Sequence, residues 1–134
     1  MRILILVTRY PRPHTKGDQQ RAFSWIGELS QRHDVCVVTS APAPPSRGLP
    51  EGVRLICAPA GALARAGSAI AAAATGAPLQ VGWMMPRRSW RAATRAMVDA
   101  DVALAMTTRS LRGPASCPLV IDHVDALSLN MARR

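Results

Sequence analysis

Five short apolar runs punctuate the chain, and helix or loop signals fill the segments between them. Ile3–Val7 is an unbroken run of leucine and β-branched residues, the pattern of a strand buried on both faces. PRPHTKG follows, a loop by its prolines and glycine. Asp18 then opens a helix to about Gln31, with Ala22, Trp25, Ile26 and Leu29 at the spacing of one apolar face. Its carboxylate suits the positive end of the helix dipole. Val35–Thr39 reads as a second buried strand. Ser40–Gly52 holds four prolines and reads as a surface loop. Val53–Cys57 is a third strand and Ala62–Ala74 is helix-permissive. GAPLQVGWMMP reads as irregular. Pro86 fits the first turn of a helix running to about Ala100. Asp101–Met106 is a fourth strand, Leu119–Ile121 begins a fifth, and ALSLNMARR looks like the first turns of a further helix.

Buried strands alternating with helices predict an α/β fold: a Rossmann-like, doubly wound parallel sheet of about five strands. The β2–β3 link lacks a helix, yet a dozen residues can make that crossover. The expected strand order is 3-2-1-4-5, which reverses direction between the first and fourth strands. Ligands of such sheets bind beyond the carboxyl ends of the strands at that reversal.

The length of 134 residues sets one domain with a real core. The net charge of +9 comes from 17 basic and 8 acidic residues, and all the basic residues except Lys16 are arginine. Arginine matches phosphate and carboxylate geometry, so a solvated basic surface competes with an anionic partner: nucleotide-sugar, lipid headgroup or nucleic acid. Cys36, Cys57 and Cys117 are widely spaced and show no metal-ligand spacing, which points to a reducing, cytoplasmic compartment and no structural metal. The start MRILILVTRY does not read as a signal peptide. The uncharged stretch from Ala66 to Pro86 is too rich in alanine and glycine to read as a membrane span.

The predicted order brings three loops together: Thr8–Gln20, Thr107–Gly113 and Asp122–Asn130. They hold His14, Lys16, Gly17, Asp18, Arg109, His123 and Asp125, a polar and basic set able to move protons. Gly17 before a helix allows close approach of a phosphate to backbone amides, and it equally fits a plain turn. Neither GxGxxG nor GxxxxGK[ST] occurs, which disfavours a dinucleotide or P-loop site. In an extended DHVD segment His123 and Asp125 share one side. They can serve as base and orienter, or as ligands of a substrate hydroxyl. Asp125 also suits the cap of the following helix, and His123 a buried, hydrogen-bonded histidine. His33 reads as surface structure.

On a helical wheel Arg87, Arg88, Arg91 and Arg95 span about 100° of arc, with Trp90, Ala93 and Met97 roughly opposite. An ordinary surface helix explains this. So does contact with an anionic membrane surface, with Trp83, Met84 and Met85 dipping into the interface beside Arg87, Arg88 and Arg91. Nucleic acid is disfavoured, because no aromatic stacking motif or recognition-helix signature is present.

The opening RILILVTRYPRP...KGDQQRAFSWIGELSQRHDVCVVT resembles that of GT-B glycosyltransferases of the family 4-like group, including the His33-Asp34-Val35 element. GAPLQVGWM and VIDHVDALSLNMARR are similar to stretches of an exopolysaccharide-associated subgroup of sugar transferases. The resemblance spans nearly the whole chain. It implies the Rossmann-like N-terminal, acceptor-side domain of an enzyme that moves a sugar from a nucleotide-sugar, with retention, to a glycan or lipid-linked acceptor. No cofactor or metal is implied; the nucleotide-sugar is a co-substrate. Gly17 matches the glycine near the donor diphosphate, and Asp125 and Asn130 match the stretch after the fifth strand. The family's donor-binding domain carries two glutamates seven residues apart. The only glutamates here are Glu28 and Glu51, so that C-terminal domain has no counterpart in residues 1–134.

The expectation is therefore an acceptor-side half-site, peripheral on the inner face of the membrane, acting with a C-terminal domain or partner chain. The alternatives are a non-catalytic binding or regulatory module that partners a full transferase, and a basic membrane-surface-binding α/β domain.

Overall fold

Alternate side chains of the first strand point into two separate cores. In the computed structural model, which describes residues 1–12, 16–43 and 48–122, this strand is β1 (Arg2–Val7). Ile3, Ile5 and Val7 pack with Ala22 and Ile26 of helix α1 (Gly17–Ser30). Leu4 and Leu6 pack with Ala93, Ala96 and Met97 of helix α4 (Arg87–Val98). The two-residue repeat of a strand thus sends successive residues to opposite layers. Leu4, Ile5 and Leu6 are completely buried. Each such side chain contributes about 1.5–3 kcal/mol by leaving water.

The sheet continues through β2 (Asp34–Thr39), β3 (Arg54–Cys57), β4 (Val102–Ala105) and β5 (Leu119–Ile121), all parallel, in the order β3-β2-β1-β4-β5. The predicted doubly wound, Rossmann-like architecture and its strand order are both present. In the central pairing Ile3 lies opposite Val35 of β2 and Val102 of β4.

Two elements lie between β3 and α4: α2 (Ala62–Ala73) and a short α3 (Leu79–Met84). The second corrects the sequence reading, which left GAPLQVGWMMP irregular. Gly76, at φ +77°, turns the chain after α2. Gly82 then lies so close to α2 that a Cβ would meet the Ser68 carbonyl oxygen at 2.3 Å and Ala69 Cα at 2.6 Å. A six-residue helix has little stability alone, and the contact with α2 supplies what local propensity does not. Trp25 is a second correction. It remains 38% exposed, while Gln19, Ala22 and Ile26 form the buried face of α1. No helix among the described residues is long and apolar enough to cross a membrane.

Candidate functional site

At the reversal between β1 and β4, the chain leaves both strands toward the same end of the sheet. Helix α1 opens there, with Lys16 exposed at its N-cap and Gly17 and Asp18 in its first turn. The leading N–H groups of a helix have no partner within it. Among the described residues, a Cβ on Gly17 would meet nothing within 4 Å. Asp18 accepts from Arg9 Nη1 at 2.8 Å. Gln19, 9% exposed, donates from Nε2 to the Tyr10 carbonyl at 2.7 Å and ties the first loop to the helix. Across the reversal, Asp122 at the end of β5 accepts from Arg21 Nε at 2.5 Å. That ion pair joins the outer strand to α1. Thr107, two residues past the end of β4, lies 3.4 Å from Ser110 across the 3-10 turn Thr108–Ser110.

The α2–α3 hairpin is fastened over the neighbouring strand ends. Arg65 donates to three carbonyls: Ala60 at 3.0 Å, Trp83 at 2.9 Å and Ser40 at 2.8 Å. Ser40, fully buried just after β2, points its hydroxyl at the Met84 carbonyl at 2.6 Å, with the Thr8 carbonyl 3.0 Å away. Ser89 donates to the Ala58 carbonyl at 2.7 Å. Arg112 donates to the hydroxyl and carbonyl of Ser68, and the Arg87 N–H donates to the same hydroxyl. Burial, and after it the nearby charge of Arg87, holds the Arg112 guanidinium below its ordinary pKa.

Two grooves flank α2. One, of about 530 Å³, is lined mainly by apolar groups of Ala66, Ala69, Ile70, Leu79 and Trp83, with Arg109 at its edge. The other, of about 810 Å³, runs between α2 and α4 beside Ser68, Arg87, Arg88, Arg91 and Arg95. The sequence reading grouped Arg109 with Lys16 and Asp18; its described surroundings are the α2–α3 groove. Trp83 is 46% exposed, and Arg87, Arg88 and Arg91 are exposed, with Ala93 and Met97 of the same helix buried behind them. Met85 departs from the expectation of an interfacial contact, because it is fully buried. His14, His123, Asp125 and Asn130 lie outside the described residues.

Sequence reasoning missed Arg65, Arg112 and the Arg21–Asp122 pair. Arg65 did carry a signal: it is the single charged residue of α2, and a lone arginine on an alanine-rich helix needs a reason. Arg21 and Asp122 are a hundred residues apart, and only the finished sheet brings them together.

Chemically, this end of the molecule offers guanidinium and ammonium groups, helix-start amides and two ion-paired carboxylates, Asp18 and Asp122. That combination suits an oxyanion such as a phosphate. Among the described residues, no group of three or more His, Cys, Asp or Glu side chains is placed to hold a metal ion. No protein-family model, no curated protein and no solved structure matches the chain.

Proposed function

We propose that this chain supplies the acceptor-side half of a sugar-transfer crevice. A nucleotide-sugar is the co-substrate, and a glycan or lipid-linked acceptor receives the sugar with retention. One observation carries the reading: the strand order reverses between β1 and β4, and α1 opens at that reversal with Lys16 at its N-cap and Gly17 and Asp18 in its first turn. The resemblance of the opening segment and of DHVDALSLN to sugar transferases narrows the ligand to a sugar diphosphate.

In such a transfer the anomeric carbon exchanges its bond to a diphosphate oxygen for a bond to an acceptor oxygen. The leaving diphosphate keeps the electron pair, and its oxygen takes up the proton that the acceptor hydroxyl loses. Lys16 and the amides at Gly17 neutralise charge that grows on the diphosphate. Arg9 holds Asp18 in an ion pair, which offsets the carboxylate's charge beside the diphosphate. His123 and Asp125 meet the acceptor hydroxyl, His14 and Asn130 contribute polar contacts, and Arg109 meets an anionic group of the acceptor. A second α/β domain, in the same polypeptide or in a partner, closes the donor side.

Titration of uridine diphosphate into the isotopically labelled chain tests this. The expected result is weak binding, with amide shifts concentrated at Lys16–Gln20 and in the segments after β4 and β5. Tight binding by these residues alone would contradict a half-site. Absence of shifts at Lys16–Gln20 would remove the phosphate role.

A further inference from the structure

From Gly52 to Val98 the chain carries six arginines and no aspartate or glutamate. Two of the six are engaged: Arg54 donates to the Cys36 sulfur, and Arg65 to three carbonyls. The other four, Arg87, Arg88, Arg91 and Arg95, stand exposed along α4, and none forms an ion pair among the described residues. Their groove shares its far wall with α2 through Ala64, Gly67 and Ser68.

The outer side of α2 is apolar where a surface helix normally carries charge. Leu63 is 90% exposed and Ile70 68%. They are seven residues apart, so they project from the same side, about 10 Å from one another. Beyond Ile70 the apolar surface continues into Leu79, 57% exposed, and Trp83. Half of the large exposed apolar side chains of the described molecule thus lie on this one hairpin. A row of arginines borders it on one flank, and Arg109 stands on the other.

We propose that this face docks on an anionic bilayer, with Leu63, Ile70, Leu79 and Trp83 entering the boundary between headgroups and acyl chains and Arg87, Arg88, Arg91 and Arg95 meeting lipid phosphates. The charge pattern selects this occupant. Four guanidiniums in a row, without an acidic partner among the described residues, call for an extended field of anions, and an anionic membrane supplies one. A nucleic acid would satisfy the arginines but leave Leu63, Ile70 and Leu79 in water. An apolar protein surface would cover the leucines but leave the arginines without counter-charges. The segment lies in the plane of the interface, the arrangement expected of an amphipathic surface element.

The inference stands apart from sugar transfer, because lipid contact is read without any nucleotide. The experiment is flotation of the full chain with phosphatidylcholine vesicles, with and without a minor fraction of phosphatidylglycerol. The wild type should float with the anionic vesicles and far less with the neutral ones. Leu63→Glu combined with Ile70→Glu should weaken that partition by at least about tenfold. Arg88→Glu with Arg91→Glu should abolish the preference for anionic lipid. All four positions are exposed, and a thermal melt by circular dichroism identifies any variant that fails to fold. As a second readout, brominated lipid should quench tryptophan fluorescence in the wild type and much less in Trp83→Phe. Failure of the wild type to float with anionic vesicles overturns the proposal. So does flotation of the Leu63/Ile70 variant at wild-type level, or oligonucleotide binding tighter than vesicle binding and indifferent to that variant.

Discussion

The two ends of the sheet are built on opposite electrostatic plans. At the amino ends of the strands, charges are mixed and close. Arg2 binds Asp101 through its backbone N–H at 2.7 Å and its guanidinium at 3.4 Å, and Asp34, Arg54 and Asp99 line the same surface depression. At the carboxyl ends, arginines outnumber acids, and several guanidiniums turn to backbone carbonyls or to no acid at all. Arg65 and Arg112 between them hold carbonyls of five residues: Ser40, Ala60, Ser68, Trp83 and Met85. The first end is neutralised within the fold. The second keeps a surplus of positive charge available to something outside it. A parallel sheet explains why the surplus lies there, since its loops and helix starts gather at the carboxyl ends.

The most severe way to break the second end is Gly82→Ala. A methyl group would be driven into the backbone of α2, which cannot shift without opening the hairpin. The expected cost is about 3 kcal/mol, read as a lowered urea midpoint. Arg65→Met should follow at about 2–3 kcal/mol, because three carbonyls, those of Ala60 and Ser40 partly buried, lose a charged donor. Arg65→Lys should recover only part of this, since one ammonium cannot span three carbonyls in the same geometry. If both changes were neutral, the hairpin would not be an integral part of the fold.

Gly17→Ala sharpens the comparison from the ligand side. Among the described residues no atom lies within 4 Å of an added Cβ, so the variant should fold normally and gain about 0.4–1 kcal/mol through a stiffer unfolded chain. Binding of uridine diphosphate should nonetheless weaken. Equal binding by both proteins would mean that no phosphate comes close to this turn.

The smallest effect is expected at the amino end. The Arg2 backbone N–H, with the Arg2 guanidinium adding to it, holds the Asp101 carboxyl below the usual range. A carboxyl with a depressed pKa in the folded protein binds fewer protons there than in the unfolded chain. Its contribution is therefore complete above the ordinary aspartate pKa of about 4 and fades as pH falls through the folded value. Asp101→Ala should lower the melting temperature slightly near neutrality, and the two melting curves should converge in strong acid.

Much of the scaffold was legible because periodicity and burial agree along the strands. Ile3–Val7 is apolar at every position, and it is in fact enclosed by α1 on one face and α4 on the other. The split of α4 into Arg87, Arg88, Arg91 and Arg95 against Ala93 and Met97 was likewise written in its spacing. Segment 79–84 was not legible, because glycine and proline argue locally against a helix and the deciding contact, Gly82 on Ser68, is tertiary. The apolar ridge was missed for a related reason. Leu63 and Ile70 sit among alanines, where one cannot see which side of the helix the sheet will cover. At the crevice, the sequence pointed to the loops after β1 and β4, while the partners of Asp18 and Asp122 had to await the fold.

Arg65 carries a consequence beyond stability. By holding Ser40 at the end of β2, Ala60 ahead of α2 and Trp83 within α3, it locks the hairpin and the sheet into one rigid piece. The offset between Leu63 and the mouth beside Gly17 is then a constant of the molecule. A surface resting on Leu63 would find that mouth at a set elevation, so the fold would work as a ruler. Under the proposed sugar transfer, acceptors would be sorted by how far their reactive hydroxyl extends from the anchored end, before any contact with the sugar itself is made.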